Sequence, residues 1–167
     1  MKVLMTSGTV DYLLKIKQKY PEANIQVMQN VTSGLAYYEG NNDEVFEEER
    51  IYETVDMVGE MQDEGFVVMN HIPVTDEGRP IFEDRFKNRS GKIEDMPGFQ
   101  ALRILRPEQR NTYIVLSQWA DEDSFISWKN SLSFKEAHKQ QDAKKQEKPS
   151  YSAGDSYVTQ YHMVVGE

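Results

Sequence analysis

An α+β fold built on antiparallel sheets is what this sequence predicts, and three observations predict it. Segments that alternate apolar and polar residues, such as "GFVVMNHIPV" (65–74), recur along the whole chain. Stretches of helical spacing separate them, near residue 10, after residue 77 and after residue 121. Two of the strand segments, 99–106 and 112–119, are joined by the short turn "PEQRN", which makes a hairpin and not a parallel crossover.

The front part opens with a short strand, "KVLMT" (2–6). "VDYLLKIKQKY" (10–20) then carries Val10, Leu13, Leu14 and Ile16 at helical spacing, and Pro21 closes that helix. "ANIQVMQN" (23–30) alternates at Ile25 and Val27, and "SGL" turns into a further strand, "AYYEG". Residues 43–57 carry two signals: a glutamate run suited to a helix, and the alternation of Ile51, Glu53, Val55 and Met57. The alternation favours a strand over 51–57, with the acid run 47–49 as a solvated face.

The rear part is clearer. The strand 65–74, rich in β-branched residues, stops near Pro73. A helix over Glu77–Arg89 follows, with Ile81, Phe82, Arg85, Phe86 and Arg89 along one face and Pro80 in its first turn. The hairpin 99–119 comes next. Asp121 caps a helix whose electropositive first turn suits Glu122 and Asp123. Ser133 with Glu136 is a capping box that starts another helix, and "DSYVTQYHMVV" (155–165) is the last strand.

The rear order is therefore β-α-β-β-α-β, the ferredoxin-like arrangement, with helices on one face of an antiparallel sheet. The front part has the same order without its second helix, and no residue-level repeat links the two. The expected division is 1–64, a β-α-β-β-β extension packed on the rest, and 65–167, the unit that carries the site.

Composition excludes several function classes. The 167 residues contain no cysteine, so disulfides, thiolate catalysis and zinc–sulfur sites are absent. The net charge of -9 argues against nucleic acid and anionic membranes as partners. Aromatic residues make up 11%, which separates this chain from disordered ones despite a mean hydropathy of -0.70. The start, "MKVLMTSGTVDYL", does not read as a signal peptide, and no stretch approaches the ~18 apolar residues of a membrane span. A cytoplasmic location is expected.

The candidate site centres on "SWKNSLSFKEAHK" (127–139). In one unbroken helix Trp128 and His138 would point about 80° apart, and the break at "NSLS" frees them to approach one cavity from two helices. Phe134, Ala137, His138 and Gln141 share a face, so His138 lies on the inward side. A lone histidine there is more often a core side chain than a ligand, and Trp128 alone is more often core filling. Asn70 interrupts the apolar run "FVVMNHIPV", either as a buried amide that needs partners or as a polar residue at a strand edge. His71 points to the opposite face from Asn70, and His162 has no ligand-spaced partner.

Taken together, "WADEDSFISWKNSLSFKEAHK" preceded by "FVVMNHI" resembles the IsdG-type heme-degrading monooxygenases of the antibiotic-biosynthesis-monooxygenase fold group, over roughly residues 65–140. The resemblance implies a heme site in which His138 is the axial iron ligand, Trp128 presses on the porphyrin, and Asn70 donates a hydrogen bond to bound oxygen. It also implies a pocket bordered by Arg85 and Phe86, with Arg89 and Lys92 as partners for the propionates. Heme would be both substrate and cofactor, with O2, an external electron donor and an unidentified reductase completing the reaction and iron released. Relatives in this family pair two sheets as dimers. The extra front part here supplies a second sheet within one chain, so a monomer with one heme is expected. Two other readings share the fold: a monooxygenase acting on a quinol-like substrate, and a heme carrier without turnover.

Overall fold

The computed structural model describes residues 1–42, 44–87, 93–131 and 151–165. Its elements run β1 (Lys2–Gly8), α1 (Val10–Lys19), β2 (Gln26–Gln29), β3 (Gly34–Glu39), β4 (Arg50–Gly59), β5 (Phe66–Pro73), α2 (Arg79–Lys87), β6 (Phe99–Pro107), β7 (Thr112–Trp119), α3 (Glu122–Lys129) and β8 (Tyr157–Met163). Local chemistry sets the boundaries. Thr9 caps α1 by accepting the Tyr12 N–H, and Pro21 opens a 3-10 turn that ends in Asn24 at φ 54°. That turn consumes residues 21–24, so the strand expected from residue 23 starts only at Gln26. Pro80 does lie in the first turn of α2. The end of the expected helix at Arg89 and the helix after Ser133 lie outside the described residues.

The eight strands close into one antiparallel barrel in the order β1-β3-β2-β8-β5-β7-β6-β4. Followed from β4, this circle is two quartets, β4-β1-β3-β2 and β8-β5-β7-β6. Each quartet has the fourth-first-third-second order of a ferredoxin-like sheet. The two seams are equivalent by this symmetry but unequal in length. β4 pairs with β6 from Tyr52↔Pro107 to Gly59↔Ala101, with a bulge between Thr54 and Asp56. β2 pairs with β8 only at Met28↔Met163 and Gln29↔His162.

Alternation along the strands sorts side chains into the barrel or onto its outer faces. Val3, Met5, Met28, Leu35, Tyr37, Val67, Met69, Leu105, Leu116 and Tyr161 fill the interior. Over the front sheet, α1 buries Leu13 against Leu4, Ile25, Val27 and Ala36. Where a second front helix would lie, the β3–β4 connection inserts Val45 and Phe46 into the same cluster. Two apolar side chains on an irregular segment thus cover the sheet that a helix covers in the rear half.

The link between the halves is fastened by a buried amide. Gln118 accepts the Gln62 N–H at 2.7 Å and donates to the Gln62 carbonyl at 2.9 Å, while Met61 enters the interior beside them. The interior also holds a charge. Arg103, 1% exposed, donates through Nε to Glu39 at 2.6 Å and through Nη1 to the Val58 and Leu102 carbonyls. Tyr37 donates to the same Glu39 oxygen at 2.6 Å, and burial followed by the Glu39 charge pushes its phenol well above the ordinary value. β3 of the front half is thereby tied to β6 of the rear half.

Glu39→Gln leaves the Arg103 guanidinium buried without its counter-charge, which costs about 3 kcal/mol. The expected fall in Tm by calorimetry is roughly 6–12 °C at this chain length. The double variant Glu39→Gln/Arg103→Met should regain most of that loss. If Glu39→Gln melts like the wild type, the pair does not join the halves.

Candidate functional site

The outer face of the rear sheet carries the site. β5 presents Phe66, Val68, Asn70 and Ile72 to that face, because Val67 and Met69 point into the barrel. Two helices cover it in separate places. Under α3 lies a cluster of Phe66, Val68, Leu102, Trp119 and Phe125, with Trp128 packed against it. Under α2 lies a second cluster of Ile72, Val74, Phe82, Ile104, Tyr113 and Tyr151, with Phe86 against it. Val115 touches both clusters, and it is the residue paired with Asn70 across β5 and β7. Asn70 therefore sits on the floor between the two helices.

One atom of the Asn70 side chain has no partner among the described residues. That atom is the buried Oδ1. A buried carbonyl left in that state costs about 1–3 kcal/mol. Of the two readings of Asn70 in the sequence, the strand edge is excluded, since β7 and β8 flank β5, and the residue is half-buried with its Oδ1 out of water.

Trp128 is held by a second tryptophan. Asp121 caps α3, accepting the Ser124 N–H at 2.8 Å and its hydroxyl at 2.7 Å; both bonds hold the Asp121 carboxyl below its ordinary range. In the last turn of the same helix, the Trp128 ring stacks on Trp119 with centroids 5.6 Å apart and planes at 29°, and packs on Phe125 at 6.1 Å. Trp119 is fully buried and anchored by its Nε1–H to the Ser117 hydroxyl at 3.0 Å. Trp128 stays half-buried, one face backed by Trp119.

The opposite wall is fixed by a clamp that no sequence spacing announces. Glu83 of α2 accepts two hydrogen bonds from Arg106 of β6, at 2.9 Å and 2.6 Å, and one from the Tyr113 hydroxyl. The Arg106 bonds come first in holding the Glu83 carboxyl below its ordinary value, and burial with the Glu83 contact pushes Tyr113 up to about 12. The clamp sets α2 on the sheet, so that Phe82 is buried against Tyr113 and Phe86 packs on Phe82 at 4.5 Å. Arg85, expected beside Phe86, turns outward, with its guanidinium 5.6 Å above the Tyr151 ring.

Of the residues expected at the site, Asn70, Trp128, Phe86 and Arg85 all stand on this outer face or its rim. His138, Arg89 and Lys92 lie outside the described residues. His71 points into the barrel, stacked on Tyr157 at 4.4 Å. His162 lies on the outer face against Phe66 at 5.0 Å. The contributions of Trp119, Val115 and the Glu83 clamp were not read from the sequence. The nine-residue spacing of the two tryptophans is the one signal that bears on them.

Comparison with known proteins bears on the family and the fold. The antibiotic biosynthesis monooxygenase family is matched over residues 65–140. A heme-degrading monooxygenase of Listeria monocytogenes is 30% identical over 135 residues, covering 81% of each chain. The chain belongs to the antibiotic biosynthesis monooxygenase family. A match of 135 residues is longer than 65–167, so within this family the likeness extends into the front half as well. The signal transduction protein TRAP of Staphylococcus aureus is 28% identical over 137 residues, covering 81% of this chain and 82% of its own. The crystal structure of a heme-degrading enzyme from Listeria monocytogenes is 26% identical, with a TM-score of 0.73, covering 97% of this chain and 99% of that one.

The clamp gives this family member a testable acid limb. Glu83 binds its proton less readily folded than unfolded, so its contribution to stability is complete above the unfolded value of 4.5 and is lost as pH falls through the folded one. Urea midpoints measured between pH 3 and pH 7 should therefore fall less on acidification in Glu83→Gln than in the wild type. Parallel curves for the two proteins would remove Glu83 from the acid response.

Proposed function

We propose that this family member is a heme-degrading monooxygenase, which binds heme over Asn70 between α2 and α3 and opens its ring with O2 and electrons from an external reductase, releasing iron. The observation that supports this reading is the Asn70 amide, whose buried oxygen has no partner among the described residues, on an otherwise apolar floor between Trp128 and Phe86. A large flat ligand suits such a floor, because it buries aromatic walls and leaves one polar group to direct it. Heme supplies the redox chemistry itself.

The protein's own residues then bind and orient. Trp128, backed by Trp119 and unable to retreat into the core, bears on the face of the ring. The Asn70 amide would orient the bound ring, its N–H able to donate a hydrogen bond and its unpartnered Oδ1 able to accept one. His138 would hold the heme iron, as the resemblance implies. By the same resemblance Arg89 and Lys92 would serve the propionates, where guanidinium and ammonium groups pair well with carboxylates. Residues 65–167 form the unit that works on heme, and residues 1–64 supply its partner sheet, so the chain acts as a monomer in the cytoplasm. No described helix is long and apolar enough to cross a membrane.

A second reading is a signalling protein, or a carrier that holds heme without turnover. The Staphylococcus aureus relatives favour the signalling form of it, since they carry the name signal transduction protein TRAP at 28% identity. Hemin added to the purified protein, with the Soret band followed before and after a reductant is supplied in air, separates the two. Binding followed by bleaching and iron release supports the enzyme; binding without bleaching supports the carrier. Absence of any Soret shift removes heme and leaves a quinol-like substrate to be tried.

His138→Ala should abolish the ferric Soret shift. Asn70→Ala and Trp128→Ala should still bind heme and degrade it roughly 10²-fold more slowly, the cost typical of a lost directing contact. Unchanged spectra in His138→Ala would reject the ligand assignment, and wild-type bleaching in both other variants would reject their roles. Light scattering should return a mass near 19.4 kDa with one heme per chain at saturation. A particle of twice that mass would mean that the chain does not complete its own assembly.

A further inference from the structure

One end of the barrel carries charge and hydroxyl groups that the outer-face site does not use. β1 and β5 finish there, and β4 and β8 begin. Arg50 of β4 lies opposite Met5 of β1, and Tyr52 lies in the barrel core, so Arg50 shares the inward face. Arg50 Nη2 donates to the Ser7 hydroxyl at 3.1 Å. His71 of β5 faces its ladder partner Tyr157 of β8, with the rings stacked at 4.4 Å and 4°, and its Nε2 is 2.8 Å from the Thr159 hydroxyl. The turn between β6 and β7 folds back onto β4 through the Glu108 N–H and the Ile51 carbonyl, at 2.9 Å. Burial pushes the Tyr52 phenol up, and the charges of Arg50 and Arg110 act against it, so both charges are felt at Tyr52. Arg110 itself holds φ 69°, a left-handed value that non-glycine residues seldom adopt, and its carbonyl accepts from Arg79 at 2.8 Å.

Three observations make this end more than a rim of polar residues. In a chain of net charge -9, neither Arg50 nor Arg110 has a carboxylate within ion-pair distance among the described residues. The ladder between β2 and β8 stops at Gln29↔His162, so among the described residues Tyr157–Gln160 pair on one side only, with β5. Tyr157 is 56% exposed there although its ring is stacked. Burial, and then the Arg50 charge, hold His71 at a pKa of about 4, so near neutrality its ring is uncharged and the positive charge is that of the two arginines.

We propose that this barrel mouth is an anion-binding site, distinct from the cleft over Asn70. It takes the phosphate or carboxylate head of a small ligand on Arg50 and Arg110, with the Ser7 and Thr159 hydroxyls as further partners and the His71–Tyr157 pair as an aromatic floor. A guanidinium presents a fork of donors that matches such a head. The ligand is either a free oxyanion or the charged end of an aromatic ester.

The test uses the full chain at constant ionic strength, titrated with inorganic phosphate and separately with phenyl phosphate. The His71 ring signal is followed by NMR and assigned with His71→Asn. A saturating shift is expected, together with a rise of the His71 pKa above about 4, because a bound anion favours the imidazolium. Arg50→Gln and Arg110→Gln should each weaken binding at least tenfold, and Arg50→Lys should lose less than Arg50→Gln. Both arginines are exposed, and unchanged circular dichroism would show that the variants fold. Tighter binding of phenyl phosphate assigns an aromatic ester to the site, and equal affinities assign the oxyanion alone. A shift that does not saturate with either probe, or equal affinity in wild type and both glutamine variants, overturns the site.

Discussion

Everything in this protein depends on the burial of the inner face of a four-stranded sheet. A ferredoxin-like quartet has helices on one side only, and its other face must be covered. Here the cover is a second quartet of the same chain, joined edge to edge at β4–β6 and at β2–β8. Closure buries Met5, Tyr37, Met69 and Leu116 at once, each worth about 1.5–3 kcal/mol against exposure. It also removes most of the free edges that would otherwise template association. The Arg103–Glu39 pair belongs to this constraint, because it spans the interior between the quartets, where only the correct pairing of halves satisfies both charges.

With the inner faces committed to each other, function is left to the outer faces, and these are unequal. The front face is sealed by α1 with Val45 and Phe46, and Thr6, the polar residue beside Leu4 and Ala36 on that face, is satisfied by donating to the Glu48 carbonyl. Among the described residues, the rear face has two helices that stand over separate clusters, with Asn70 and Val115 on the floor between them. The two covers are each fixed by their own chemistry: α2 by the Glu83–Arg106–Tyr113 bonds, α3 by its Asp121 cap and the stack of Trp128 on Trp119. Rigid walls are the condition under which a single amide can direct a ligand.

The unequal seams have a consequence of the same kind. β4 and β6 are zipped along their length, while β2 and β8 share two residue pairs. Among the described residues the short seam leaves Tyr157–Gln160 paired on one side only, and the inward-facing polar residues of four strands converge there. The two quartets are thus alike in strand order yet differ in what they expose: aromatic walls around an amide on one outer face, and arginines and hydroxyls at one end of the shared interior.

The strand order and the helices that follow β1, β5 and β7 were determined by sequence alone. Alternation and capping are local signals, and Val67, Met69, Thr9 and Asp121 act through neighbours a few residues away. The likeness of the two halves was legible for the same reason, since order survives where residue identity does not. The resemblance that singled out Asn70 and Trp128 also lay in the sequence, and both residues stand on the rear outer face. What needed the tertiary structure were relations between residues distant in the chain. Glu83 meets Arg106 and Tyr113, Arg103 meets Glu39, and Val115 comes to lie beside Asn70, only because antiparallel registers bring those positions together. Whether the Asn70 amide was buried or at a wet edge could not be decided from its own strand, because that depended on β7 and β8 on either side of it. The registers of those two neighbours decided it, and they belong to strands far from β5 in the chain.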